Sequence, residues 1–268
     1  MTIRDWIYER SISGLATFSY EDVRGAFANL SEQVVRNELY RLAKQKSIVS
    51  PYKGFYVIVP PHYAANGVVP PYYYIDHLMH YLEKPYYVSL LSAAELLGAA
   101  HQRPQRFYVT TEFPSFRSSK KRNSLLAWQF RKKVPDSFLQ TKNTETGTVK
   151  FSSPELTAID LVQSSRSIGG LSRAATVIME LADVMDVSKI TEKILDYTTV
   201  STLQRLGFML EHVIGSQDQA DQLFDLLAGI GKRYGYVPLS HYAQCSNNVE
   251  RDKRWKILIN TQIEMDDL

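Results

Sequence analysis

Two histidines, His77 and His80, stand three residues apart, a spacing that puts both imidazoles on one side of a helix within reach of a single metal ion. A zinc site needs a third and usually a fourth ligand, and none follows at a convincing spacing, so the pair is read as surface or core histidines. Gly229-Ile230-Gly231-Lys232 resembles part of a phosphate-binding loop but lacks its earlier glycine, and no Gly-x-Ser-x-Gly nucleophile turn occurs. Metal-assisted DNA cleavage of the restriction type needs an aspartate followed by an acid-x-Lys pair, and neither Asp-x-Lys nor Glu-x-Lys occurs anywhere. Glu155 and Asp160 are read as a helix-start acid and a turn-forming or capping group. No catalytic, cofactor-binding or metal-binding residues are assigned, and the expectation is a protein that is not an enzyme.

The chemistry that does stand out is recognition. After the break Ala28-Asn29-Leu30, Ser31 is placed to cap a helix of about 15 residues. Val35, Leu39, Leu42 and Ala43 recur at helical spacing and face inward, while Gln33, Arg36, Asn37, Tyr40, Arg41 and Lys44 recur at the complementary spacing. Glu32 and Glu38 are expected to project away from that second stripe, leaving a face of amides, hydroxyl and positive charge suited to phosphates and base edges. The DNA-binding residues assigned are Ser31, Gln33, Arg36, Asn37, Tyr40, Arg41, Lys44 and, from the loop beyond, Lys53. Arg36, Arg41, Lys44 and Lys53 supply electrostatic capture, and Gln33 and Asn37, joined by Arg36, read bases.

The elements around this helix must present it. Residues 3 to 13 form a short helix with Ile3, Trp6 and Ile7 on one side and Gly14 at its end. Ser19 and Asp22 have the spacing of a capping box for a second helix carrying Val23, Ala26 and Phe27 inward. Ser47 to Ser50 and Phe55 to Val59 alternate like strands joined through Pro51-Tyr52-Lys53-Gly54. Three helices and a hairpin predict a winged helix-turn-helix, whose third helix enters the major groove.

Residues 60 to 74 hold four of the 11 prolines, which ends regular pairing. The division is therefore residues 1–60 as DNA-binding domain, 61–74 as linker and 75–268 as a second domain. A helix around Ile75, Leu78, Met79 and Leu82 opens that domain, and a small-residue helix from about Ser89 to Leu97 follows. Strands are expected at Phe107 to Thr111, Leu125 to Arg131, Phe138 to Thr141 and Thr148 to Ser152, with Leu126, Trp128 and Phe130 on a buried face. Ser153-Pro154-Glu155 starts a helix through Gln163. Further helices are expected over 173–183, 188–197, 202–213 and 218–230, and a last strand, Trp255 to Asn260, returns to the sheet. The fold class is α/β (α+β): an N-terminal winged helix-turn-helix, then a mixed-sheet domain with a helical C-terminal half.

With 268 residues, 44% of them hydrophobic, the chain has enough apolar material for a core, which excludes disordered and fibrous classes. A single cysteine, Cys245, excludes an internal disulfide framework and a cysteine-based zinc site. The longest stretch without Lys, Arg, Asp or Glu, Gly54 to Ile75, is broken by prolines and spans no bilayer, and the first residues carry charge at once, so a cytoplasmic protein is expected. The net charge of +3 is unevenly laid: residues 101–133 hold nine Lys/Arg against Glu112 alone, and residues 152–230 hold five against eleven acids. The stretch from Arg103 to Lys133 is expected to add backbone contacts to DNA.

Several segments in collinear order resemble the AbiEi antitoxins of type IV toxin-antitoxin systems. They are Gly54-Phe55-Tyr56-Val57-Ile58, the run Tyr87 to Ala94, Gln102 to Val109, Ser153 to Val162, Gly169-Gly170-Leu171, Arg205-Leu206-Gly207-Phe208 and Arg254 to Asn260. The resemblance implies an N-terminal winged helix binding inverted repeats in the operon's own promoter, transcriptional autorepression and a C-terminal antitoxin domain in abortive infection, a phage defence. It also implies a nucleotidyltransferase-like toxin opposed without a stable complex, no cofactor and no catalytic residues. A palindromic operator implies two chains on adjacent half-sites.

Two other readings stay open at the level of sequence. One is a diverged restriction-like nuclease or transferase targeted to DNA by the winged helix, against which the missing acid-x-Lys pair stands. The other makes the first domain a protein-docking module, with a partner crosslinking to residues 31–54.

Overall fold

The computed structural model describes residues 1–99, 104–115, 125–231, 233–245 and 248–265. Its first element, α1 (Ile3–Ile12), begins with a capping box between Thr2 and Asp5 and is followed by β1 (Thr17–Ser19). The Ser19–Asp22 box then starts α2 (Tyr20–Ala26) as the spacing required: the Asp22 amide donates to the Ser19 hydroxyl at 3.0 Å and the Ser19 amide to the carboxylate at 2.7 Å. Ser31 caps α3 (Glu32–Lys44). Strands β2 (Ile48–Tyr52) and β3 (Phe55–Ile58) form an antiparallel hairpin turning at Lys53-Gly54, where Gly54 takes φ +78. β1 was not expected from sequence. It pairs antiparallel with the outer side of β3, giving a sheet of order β1-β3-β2. Ile3, Ile7, Phe18, Val23, Phe27, Val35, Leu39, Leu42 and Ile48 close the core between these helices and the sheet.

The proline-rich stretch makes two short 3-10 turns, Pro61–Tyr63 and Pro71–Tyr73, leading into α4 (Ile75–Tyr81). It is packed rather than slack: Val69 and Tyr74 are buried in one cluster with Phe55 and Val57 of β3, Ile75 and Leu78 of α4 and Val88 beyond. Next come β4 (Tyr86–Val88), α5 (Leu90–Leu96), β5 (Phe107–Glu112), β6 (Leu126–Arg131), β7 (Leu139–Thr144) and β8 (Gly147–Ser152). The strands form a mixed sheet of order β6-β5-β4-β8-β7, in which β5–β6 and β4–β8 are parallel. β4, also missed from sequence, is its central strand, with all three residues buried.

Ser153 and Pro154 start α6 (Pro154–Gln163), every residue of which except Gln163 is buried. Around it pack α7 (Ser165–Ile168), α8 (Leu171–Ala182), α9 (Val200–Met209) and α10 (Gln217–Gly229) in one large core. The helix expected over 188–197 is instead two 3-10 turns, Val187–Lys189 and Glu192–Asp196, with Ile190 extended between them. Buried Val187 and Ile190 are three residues apart, a spacing that a 3-10 turn satisfies as well as an α-helix does. The expected last strand does not return to the main sheet. β11 (Ile257–Ile259) lies between β9 (Val237–Pro238), parallel to it, and β10 (Glu250–Asp252), antiparallel. The architecture is α+β, and no helix among the described residues is long and apolar enough to cross a membrane.

Candidate nucleic-acid interface

Helical periodicity sets the two faces of α3. Val35, Leu39 and Leu42 are each at most 2% exposed, whereas Gln33, Arg36, Asn37, Arg41 and Lys44 are open to solvent and Tyr40 is 73% exposed. Ser31 is spent on the helix itself, its hydroxyl accepting from the Val34 amide at 3.4 Å. Gln33 donates through Nε2 to Asn37 Oδ1 at 2.9 Å, so the two amides form one hydrogen-bonding unit one turn apart. Lys53 stands exposed at the hairpin turn beside this helix.

The acids do not stay off the stripe. Glu32 reaches Arg36 one turn on, with 3.2 Å between Oε2 and Nη2. Glu38 holds Arg41 with two bonds, 2.8 Å to Nε and 2.6 Å to Nη2. Long side chains at i,i+3 and i,i+4 bridge the angle that separates their Cα positions, which a wheel of Cα directions does not register. Electrostatically, the Arg41 bonds hold the Glu38 carboxyl below the usual range, and Glu38 raises Arg41 in return. Arg36 is raised first by its contact with the adjacent Tyr20 hydroxyl and then by the charge of Glu32. Its guanidinium carbon lies 5.6 Å from the Tyr20 ring centroid. Tyr20 was not singled out by sequence, because only the fold brings the start of α2 under the middle of α3. Arg36, Lys53, Tyr20 and Tyr56 line a cavity of about 400 Å³ together with Tyr81 of α4.

The second basic region divides. Arg106, Lys132 and Lys133 are exposed, whereas Arg103, Arg117, Lys120, Lys121 and Arg122 lie outside the described residues. Arg131 is withdrawn from any outside contact: its side chain is 11% exposed, pairs with Asp160, and donates through Nη1 to the Tyr197 carbonyl at 2.6 Å. Asp160 is 1% exposed in mid-helix and also accepts from the Tyr87 hydroxyl at 2.9 Å, so it is an ion-pair partner inside the core and not a capping group. Glu155 likewise turns inward, accepting from the Asp186 amide at 3.0 Å. The alternation expected in β6 is blurred because both faces of the strand are partly covered: Leu126 and Trp128 pack on one core cluster and Ala127 on the other, and every residue after Leu126 is half-buried. His77 is half buried and His80 exposed, and among the described residues no group of three His, Cys, Asp or Glu side chains is placed to hold a metal ion.

Residues 87–212 match the family described as the AbiEi antitoxin C-terminal domain. No curated protein matches the chain. The crystal structure of the RV2827C protein from Mycobacterium tuberculosis is similar, with a TM-score of 0.66 at 15% identity, covering 93% of this chain and 89% of that one. At that identity the likeness is one of fold.

Proposed function

The chain belongs to the AbiEi antitoxin family through residues 87–212, and from that premise we propose that this antitoxin of a toxin-antitoxin system is also a DNA-binding autorepressor of its own promoter. In this reading residues 1–60 are a winged helix-turn-helix, 61–74 the connection and 75–268 the antitoxin unit. α3 is the recognition helix and the β2–β3 hairpin the wing. The observation that carries the reading is the outward face of α3, where Gln33, Arg36, Asn37, Tyr40, Arg41 and Lys44 are all exposed over a buried Val35-Leu39-Leu42 stripe. Amide side chains pair with adenine edges and guanidinium groups with guanine or phosphate. The exposed Arg36–Glu32 pair is weak in water, and a phosphate displaces that carboxylate at little cost. The antitoxin's functional partner is a nucleotidyltransferase-like toxin opposed without a stable complex, in the cytoplasm, as a phage defence. Two chains occupy the half-sites of an inverted repeat.

The test is a titration of a labelled duplex from upstream of the reading frame. Arg36→Ala and Arg41→Ala each weaken binding, and each makes the slope of log affinity against log salt shallower by about 0.9, one phosphate contact's worth. Unchanged affinity and slope in both variants refute the assignment of this face.

A further inference from the structure

The cavity beside α3 is built by two parts of the chain, and its chemistry is more specific than a basic surface. Arg36 and Lys53 bring positive charge from the recognition helix and the hairpin turn, and three phenols, Tyr20, Tyr56 and Tyr81, wall the space of about 400 Å³ between them. Tyr81 belongs to α4. Its hydroxyl is so near the turn that a Cβ placed on Gly54 would come within 2.7 Å of it, and its ring packs on Phe55 with centroids 5.5 Å apart. The Tyr20 hydroxyl is shielded from solvent. It lies beside the Arg36 guanidinium, which can only donate, and its own proton meets no acceptor among the described residues. A shielded phenol proton with nothing to donate to is costly, and it marks a place where an acceptor is to be supplied.

We propose that this cavity seats a backbone phosphate of the bound duplex, with Arg36 and Lys53 as its counter-charges and the Tyr20 and Tyr81 hydroxyls as neutral donors. The antitoxin unit thereby contributes a residue to the DNA interface. A phosphodiester offers acceptor oxygens only, which suits two cations and a set of phenols and leaves no donor unmatched. Glu21 is the one carboxylate among the lining residues, opposed there by the two cations. Burial pushes the Tyr56 and Tyr81 phenols up from their ordinary value, so both remain protonated donors at neutral pH. Arg36, whose side chain is 64% exposed, lines the cavity while paired with Glu32, and it meets the phosphate by exchanging that carboxylate for the anion.

This inference rests on the DNA-binding reading, and the experiment separates the two. The full chain and its Tyr20→Phe, Tyr81→Phe and Lys53→Gln variants are titrated with the labelled upstream duplex over a range of salt, after thermal melts verify that each is folded. Removing one hydroxyl is expected to weaken binding about tenfold with the salt slope unchanged, because no charge is lost. Lys53→Gln is expected to lower the slope by about one. Wild-type binding that both phenylalanine variants reproduce in full overturns the phosphate seat while leaving the DNA-binding reading intact. Wild-type protein without salt-dependent affinity overturns the DNA-binding reading itself. In a separate arm, calorimetry with inorganic phosphate that shows binding lost in Tyr20→Phe, alongside no duplex affinity, overturns the assignment to DNA and gives the cavity to a free phosphoryl ligand.

Discussion

Gly207→Ala tests the packing of the antitoxin unit at its tightest point. Gly207 sits inside α9, where alanine is ordinarily favoured over glycine by about 1 kcal/mol. Here an added Cβ would stand closer than 3.0 Å to Cζ3, Cη2 and Cε3 of the Trp255 ring, which is fully buried. To restore ordinary contact near 3.5–4.0 Å the ring must withdraw by about 1 Å or more. It is not free to do so. Its Nε1 donates to Glu211 Oε2 at 2.6 Å, Phe224 meets it edge-on at 5.5 Å between centroids, and Gln204 holds the Trp255 carbonyl at 2.7 Å. Overpacking costs about 1–3 kcal/mol and the strained bond to a charged acceptor about 1.5–3, against the helix gain of about 1, so a net loss of roughly 2–5 kcal/mol is expected. For a chain of this size that lowers the melting temperature by about 5–20 °C, read by circular dichroism. In a Trp255→Leu background the same substitution is expected to be near neutral, because the ring is gone. Either a Gly207→Ala protein that melts with the wild type, or an undiminished penalty in the leucine background, refutes the reasoning.

Asp160→Asn leaves Arg131 charged in the core with Tyr87 as its neighbour, and it is expected to cost about 3–5 kcal/mol in urea unfolding. Replacing Asp160 with Leu and Arg131 with Met together is expected to cost less than Asp160→Asn alone, and the reverse order would count against a buried ion pair. Burial, followed by the hydrogen bond to Tyr72, pushes the Tyr63 phenol up to about 12, and burial also raises Tyr74 and Tyr86. The unfolded phenols ionise near 10, so this contribution to stability is complete below pH ~10 and is lost as pH rises through the folded value. Ultraviolet titration of the folded chain should therefore leave part of its 17 tyrosines un-ionised well past the point where the urea-unfolded chain is fully titrated. Coincident curves would contradict that placement of the three phenols.

Local signals were legible where the physics is local. Ser19 with Asp22, Ser31, and Ser153 with Pro154 each start a helix, because a cap is decided within four residues. The open face of α3 follows from the same periodicity that buries Val35, Leu39 and Leu42. β1 and β4 were missed because three residues have no period to detect; only pairing with β3, and with β5 and β8, makes Thr17–Ser19 and Tyr86–Val88 strands. Arg131 read as a member of a basic run until the fold placed Asp160, 29 residues later, against it. The same applies to the site. Arg36 and Lys53 are visible on a helical wheel and in a turn, but Tyr20 and Tyr81 reach their cavity only through packing of α2 under α3 and of α4 against the hairpin.

The segments that carry the family resemblance become pairs in three dimensions, and the pairing says what they specify. Arg205-Leu206-Gly207-Phe208 meets Arg254-Trp255 through the glycine under the indole, and Arg205 fastens the Pro238 and Leu239 carbonyls beside β11. Tyr87, in the run before α5, reaches Asp160, in the run that starts at Ser153. Each pair closes the core of the antitoxin unit, so together they specify its fold, and none of them touches α3. Gly54-Phe55 is the exception, because it lies in the hairpin and is held by Tyr81 from the other side. The exposed residues on the outer face of α3 are therefore free to change without loosening the core. The hairpin beside that face is seated on the cluster that joins Phe55 and Val57 to Tyr74, Ile75 and Leu78, and Tyr81, at the edge of this packing, is the residue that the proposed phosphate seat also uses.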